Sequence, residues 1–174
     1  MVNTFLPFSD FRKVAKCLDD KRLLKQRVEA YQIIEILKKH RKSPSLKIAW
    51  LNHPATQMWK GYDSALKLYY NTILDEVKSR GFKNTMKKYQ VRSQVKIPWW
   101  MDYLPFHKSH QASLLRKDKK YYSKCFRENK KYSKYSYVWP SHLTEKQQYN
   151  IKKYQNGELY KNPYTISDIA QLID

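Results

Sequence analysis

Glycine is scarce in this sequence, with three residues in 174. So few glycines leave little room for tight β-hairpins or a glycine-rich phosphate loop, which favours a chain of helices. Cysteine is scarcer still. Cys17 and Cys125 are far apart and match neither a metal-ligand spacing nor a disulfide framework. There is no long apolar run and no lipidation motif, so no membrane association is expected. The opening residues, MVNTFLPFSDF, lack the charged start and apolar stretch of a signal peptide, and a reducing, intracellular compartment is the expectation. Gly-x-Ser-x-Gly and P-loop patterns do not occur.

Acidic residues are also few. Fifteen Asp and Glu stand against thirty-five Lys and Arg, a net charge of +20. A surface that positive repels itself unless a polyanion neutralises it, and nucleic acid is the expected partner because each phosphate contact releases counterions. Residues 83–134 carry fifteen Lys and Arg and three acids, a net +12. The same span holds Tyr89, Trp99, Trp100, Tyr121 and Tyr122. Cations interleaved with aromatics suit a surface that follows a phosphate backbone and stacks on bases. Of Trp99 and Trp100, at least one is expected in the core. Hydrophobic residues make up 41%, enough to form that core.

The pattern along the chain predicts an all-α, compact single-domain bundle with two long helices, an extended N-terminal arm and a C-terminal extension. Pro7 marks the arm, and a short helix follows Ser9 with Asp10 at its start. Leu23, Leu24, Val28, Tyr31, Ile34 and Leu37 recur at helical spacing, predicting a long helix from Asp19-Asp20 to about Lys39. Pro54 suits a first helical position, and a second long helix is predicted from there to Arg80, stopped by Gly81. Its buried face would be Trp59, Tyr62, Leu66, Tyr69, Ile73 and Val77. Further helices are predicted near 107–117 and 118–126. Another would start at Thr144-Glu145 and end at Asn156-Gly157.

One helical face draws notice. Arg22, Gln26, Glu29 and Ile33 follow one another at spacings of four, three and four, flanked by Lys21 and Lys25. This face opposes much of the apolar stripe, so Glu29 reads as a carboxylate among cations, away from the core. It is either a partner for Lys25, worth tenths of a kcal/mol, or a carboxylate kept for chemistry. Other chemistries fare worse. His107 and His110 sit three apart without the acids or thiols of a metal site, and phosphate-facing roles suit them better. Glu76-Val77-Lys78 lies in a helical segment, where the strand of a nuclease motif is not expected. Asp19-Asp20 reads as a helix start rather than a two-metal site.

From Thr4 to Pro140 the chain resembles the pyrimidine-dimer DNA glycosylase family. The resembling stretches are Thr4-Phe5-Leu6-Pro7, Arg22-Leu23 with Lys25-Gln26-Arg27-Val28-Glu29-Ala30, and Asn52-His53-Pro54 with Met58-Trp59-Lys60-Gly61. Arg80-Gly81-Phe82, His107, Ser109-His110, Leu114-Leu115-Arg116-Lys117-Asp118 and Tyr137-Val138-Trp139-Pro140 follow in order. The likeness is closer to a longer cellular branch than to the compact phage enzymes. Those enzymes start with threonine after Met1 and have a shorter arm, whereas here Val2 follows Met1.

The resemblance implies an all-α glycosylase and lyase that uses no metal or organic cofactor and acts, as a monomer, on damaged double-stranded DNA. Its domain would be residues 1–140, with 141–174 an extension of no assigned role. The implied nucleophile is the α-amine of Val2 after loss of Met1, and the implied acid/base is Glu29. An α-amine titrates near ~7.7–8 and lysine near ~10.4, so the amine is the better nucleophile at neutral pH. Arg22, Lys25, Gln26 and Arg27 would position the lesion strand, with His53 also at the DNA. Arg116, Lys117, His107 and His110 would hold phosphates, and Tyr137 or Trp139 would pack near the distorted duplex. Two alternatives stay open. One is a non-catalytic DNA- or RNA-binding protein of the same fold; the other is the same chemistry on another damaged base or on abasic sites alone.

Overall fold

The structure, a computed structural model, describes residues 2–91, 93–126 and 137–156, leaving aside the side chains of 154 and 155. Most of the lysine-tyrosine-serine stretch before Tyr137 and the tail from Gly157 lie outside the described residues, as does the predicted helix stop at Gly157. Among the described residues there are helices and no strands. The chain forms two compact units, residues 1–98 and 99–174. The division at 140 drawn from the resemblance runs through the second of them.

In the first unit, helix α1 spans Phe11–Cys17, and the Asp10 side chain caps it by accepting from the Lys13 amide at 2.8 Å. Helix α2 spans Asp20–Lys42, capped by Asp19, which accepts from the Arg22 amide at 3.0 Å. Such caps satisfy amides that a helix start leaves without an intrahelical partner. The predicted helix from Pro54 to Arg80 is two helices. Helix α3 covers only Pro54–Gln57, and α4 covers Asp63–Ser79. Gly61 between them has a φ of 83°, a left-handed conformation that ends the helical run and that glycine adopts without strain. At the far end of α4, Gly81 has a φ of 77°. The Phe82 amide donates back to the Val77 carbonyl and the Gly81 amide to that of Lys78, a glycine-terminated helix end.

Helix α4 packs against both α1 and α2. Between them lie Val14, Leu18, Leu23, Ile33, Leu66 and Ile73, all fully buried. The Phe11 ring meets the Tyr69 ring edge-on with centroids 5.3 Å apart. The arm belongs to this core: residues 2–7 are buried, and the Trp59 indole N–H donates to the Thr4 hydroxyl at 3.0 Å. The buried face of α2 is rotated from the predicted stripe. Val28 and Tyr31 are each 41% exposed, while Gln26 and Glu29 are buried with Leu23, Ala30 and Ile33. The arm covers this face and brings backbone polar groups with it, so a polar strip was needed where a purely apolar one was expected.

In the second unit, helix α5 spans Leu104–Lys117, α6 spans Lys119–Tyr122 and α7 spans Glu145–Gln155. Short 3-10 turns cover Trp99–Asp102 and Pro140–His142. Trp100 is buried and Trp99 half-buried, with the Trp100 ring on that of Phe106 at 4.9 Å. Among the described residues no helix is long and apolar enough to cross a membrane.

Candidate active site

The second and third turns of α2 bring one face against the arm. Gln26 is fully buried there, and its amide is used at both ends. Its Oε1 accepts from the Phe5 amide at 2.9 Å and from the Tyr69 hydroxyl at 2.6 Å. Its Nε2 donates to the Asn3 carbonyl at 3.1 Å and to Glu29 Oε2 at 2.8 Å. One amide nitrogen therefore joins the third residue of the chain to the carboxylate. The Tyr69 hydroxyl also donates to the Phe5 carbonyl at 3.1 Å. Burial and then the charge of Glu29 push the Tyr69 phenol well above its usual range, which keeps it a donor.

Glu29 does not stand on an open face, as the sequence suggested. It is 5% exposed. Its other oxygen lies 3.5 Å from the Lys25 ammonium, whose side chain is 65% exposed. Burial raises the Glu29 pKa above its usual value; Lys25, the N-terminal charge and the Gln26 hydrogen bond pull it partly back. A buried carboxylate with a raised pKa and a cation at one oxygen suits proton transfer. Val2 is nearly buried and lines a cavity of about 560 Å³ together with Tyr31, Gln32, Glu35, Leu46 and Trp50.

The other expected residues divide. Arg22 is bound to the Asp19 carboxylate at 2.6 Å and is largely buried. Arg27 donates to the Lys83 carbonyl and to the Asn84 side chain, each at 3.1 Å, holding the segment after α4 against α2. His53 caps α3: its Nδ1 accepts from the Ala55 amide at 3.3 Å, and its ring meets Trp50 edge-on at 5.6 Å. Burial, and then the N-terminal charge, lower the His53 pKa, which favours the neutral ring that this cap requires.

Arg116 and Lys117 are exposed at the end of α5, as a phosphate contact needs. His107 and His110 are not. Both are buried; His107 Nε2 pairs with the Met101 carbonyl, and His110 packs on Phe106, Tyr137 and Trp139. Burial, with His107 nearby, lowers the His110 pKa well below its usual value, so it carries no charge for a phosphate. Trp139 is buried in the same cluster and Tyr137 half-buried, so their first role is packing. Among the described residues no three His, Cys, Asp or Glu side chains are grouped as metal ligands.

Sequence reasoning missed Tyr69 as the buttress of Gln26 and Trp50 as a cavity wall. Tyr69 stood in an apolar stripe that gave no hint of where its hydroxyl went. Trp50 sat in a loop without periodicity.

The chain is thus helical and strongly basic, with a buried carboxylate tied to its N-terminal arm. The model of the family described as pyrimidine dimer DNA glycosylase matches residues 2–90. The chain belongs to this family of DNA-repair glycosylases, and the matched half contains the arm, Gln26, Glu29, Tyr69 and the cavity. Searches of curated proteins and of solved structures each returned no match.

Proposed function

We propose that this protein excises UV-type pyrimidine dimers from double-stranded DNA and nicks the resulting abasic site by β-elimination. The observation that carries this reading is the Gln26 amide, which binds the Asn3 carbonyl and the Glu29 carboxylate at once. The amine of Val2, freed by removal of Met1, is then one residue from Asn3, whose carbonyl shares the Gln26 amide with the carboxylate. The amine attacks C1′ of the damaged nucleotide, and the bond from C1′ to the base breaks with its electron pair leaving on the base. The nitrogen loses one proton, and the sugar ring opens as O4′ takes up a proton, giving a protonated Schiff base. Removal of a C2′ proton then expels the 3′ phosphate. Glu29 is the proton carrier in these steps, and its charge offsets positive charge developing at the sugar. Lys25, exposed beside it, and Arg116 and Lys117 at the end of α5 contact phosphates.

Glu29→Gln keeps size and can still accept from Gln26, but it removes the proton-accepting charge. Nicking of dimer-containing duplex is expected to fall about 10²–10⁴-fold, with binding equal or tighter. Borohydride trapping on dimer and abasic duplexes should be abolished by acetylating the N-terminal amine. Wild-type nicking by Glu29→Gln would sink this mechanism and favour a Lys25 partner role.

A further inference from the structure

The four partners of the Gln26 amide fit only one of its two orientations. Oε1 faces two donors, the Phe5 amide and the Tyr69 hydroxyl. Nε2 faces two acceptors, the Asn3 carbonyl and Glu29 Oε2. Turned end for end, the amide would set its nitrogen against the Phe5 N–H and its oxygen against a carbonyl and a carboxylate, a mismatch that burial penalises. Glu29 Oε2 is thereby committed to accepting. Oε1, 3.5 Å from the Lys25 ammonium, is the oxygen left to take up and release a proton.

Two of those partners are arm backbone and one is Glu29 itself. The Tyr69 hydroxyl is the one that comes from α4, and it can be removed without altering the arm or the carboxylate. The ring is fully buried, edge-on to Phe11 at 5.3 Å and beside Trp59 at 6.0 Å. Its hydroxyl lies 2.6 Å from Gln26 Oε1 and 3.1 Å from the Phe5 carbonyl, so one proton serves both the amide and the arm. Hydrogen bonds accepted at an amide oxygen polarise the group and strengthen the bonds donated at its nitrogen. The hydroxyl therefore acts through Gln26 on the charged form of Glu29. The other charged groups facing that carboxylate are Lys25 on α2 and the N-terminus of the arm.

We propose that Tyr69 is a positioning residue of the reaction, its hydroxyl holding the Gln26 amide so that Nε2 grips Glu29 Oε2 and Oε1 is left for proton transfer. This rests on the reading of Glu29 as the acid/base. Tyr69 itself never reaches the DNA, because its side chain is sealed in the core.

The test uses the full chain and Tyr69→Phe, which keeps the ring and deletes the hydroxyl. The Glu29 carboxyl is titrated by carbon NMR, its signal assigned from the Glu29→Gln variant, and single-turnover nicking of an abasic duplex is followed across pH. Tyr69→Phe weakens the bond to the charged carboxylate, so the Glu29 midpoint and the acid limb of nicking are both expected to move upward. Nicking is expected to fall about ten-fold, the equivalent of roughly one hydrogen bond, with affinity for undamaged duplex unchanged. Added to Glu29→Gln, the same change is expected to cost no further rate. Phe11→Leu disturbs the packing of the Tyr69 ring and spares its hydroxyl; it should lower melting and leave the midpoint in place. A purely structural Tyr69 predicts that Tyr69→Phe behaves as Phe11→Leu does. An unmoved midpoint in Tyr69→Phe, or a further loss of rate on the Glu29→Gln background, overturns the proposal alone. Wild-type nicking by Glu29→Gln overturns it together with the mechanism it rests on.

Discussion

At the scale of single residues, the state of Glu29 follows from what surrounds it. The carboxylate has one hydrogen bond from a neutral amide and one long contact with a solvated lysine. That is less than full hydration supplied, so the folded protein holds the proton more tightly than the unfolded chain, whose carboxyl titrates near 4.5. The linkage has a definite sign. Where the native state binds more protons, stability falls as pH rises. Glu29 thus contributes a penalty that is absent below 4.5, grows as pH climbs toward the raised native value, and is constant above it. Glu29→Gln is therefore expected to melt above the wild type at pH 7, with the gap closing as pH is lowered through the carboxylate range. Paired melting curves read this directly, and a gap that widens on acidification would contradict it. The same raised pKa predicts that the acid limb of the nicking profile lies above that of an ordinary glutamate. The sequence disclosed the identity and spacing of this carboxylate, and the role proposed for it comes from the resemblance. Its burial was hidden, because the arm that covers it joins α2 through backbone groups, which leave no pattern in side-chain periodicity.

At the scale of elements, Arg80 ties three helices together. Its guanidinium donates to the Ala15 and Lys16 carbonyls at 3.1 Å, to the Leu18 carbonyl at 2.8 Å, and to Asp20 and Glu76 at 2.9 Å. The carbonyls at the end of α1 lack intrahelical partners, and Arg80 supplies them across the start of α2. A lysine offers a point charge without the planar fork. Arg80→Lys is expected to lower unfolding stability by about 2 kcal/mol, from charged hydrogen bonds lost and carbonyls left unmet. Urea denaturation measures it, and a change within a few tenths would show the clamp to be dispensable. Arg80-Gly81-Phe82 was visible in the sequence as a shared stretch and a helix stop, but the reach of Arg80 back to α1 spans more than sixty residues and no local pattern carries it. The helices themselves were largely legible. The break at Gly61 was not, because Trp59, Tyr62 and Leu66 keep helical spacing across it; glycine's conformational freedom outweighed the periodicity there.

At the scale of the whole molecule, charge is the property that composition alone conveys. A chain of net +20 that binds DNA does so largely by displacing counterions. Affinity for any duplex should drop steeply between low and moderate salt. Replacing Arg116 or Lys117, both exposed, by alanine should weaken binding to all sequences alike and flatten the dependence of log affinity on log salt by about one unit each. Titrations at several salt concentrations test this; an affinity indifferent to salt would mean that the charge serves something other than DNA. The phosphate-facing role expected of His107 and His110 does not fit their burial, because residue type does not say which side chains water reaches.

The burial of residues 2–7 also sets an order of events. The arm precedes its partners Gln26, Trp59 and Tyr69 in the chain. Until α4 has formed the arm has nothing to close against, and on the proposed mechanism this is when the Met1-Val2 bond has to be cut. Once the core assembles, Val2 is 4% exposed, and the same cleavage would require local unfolding. On the proposed mechanism, maturation of the nucleophile is a race between processing and folding, and a chain that folds first is locked into an inert form by its own stability.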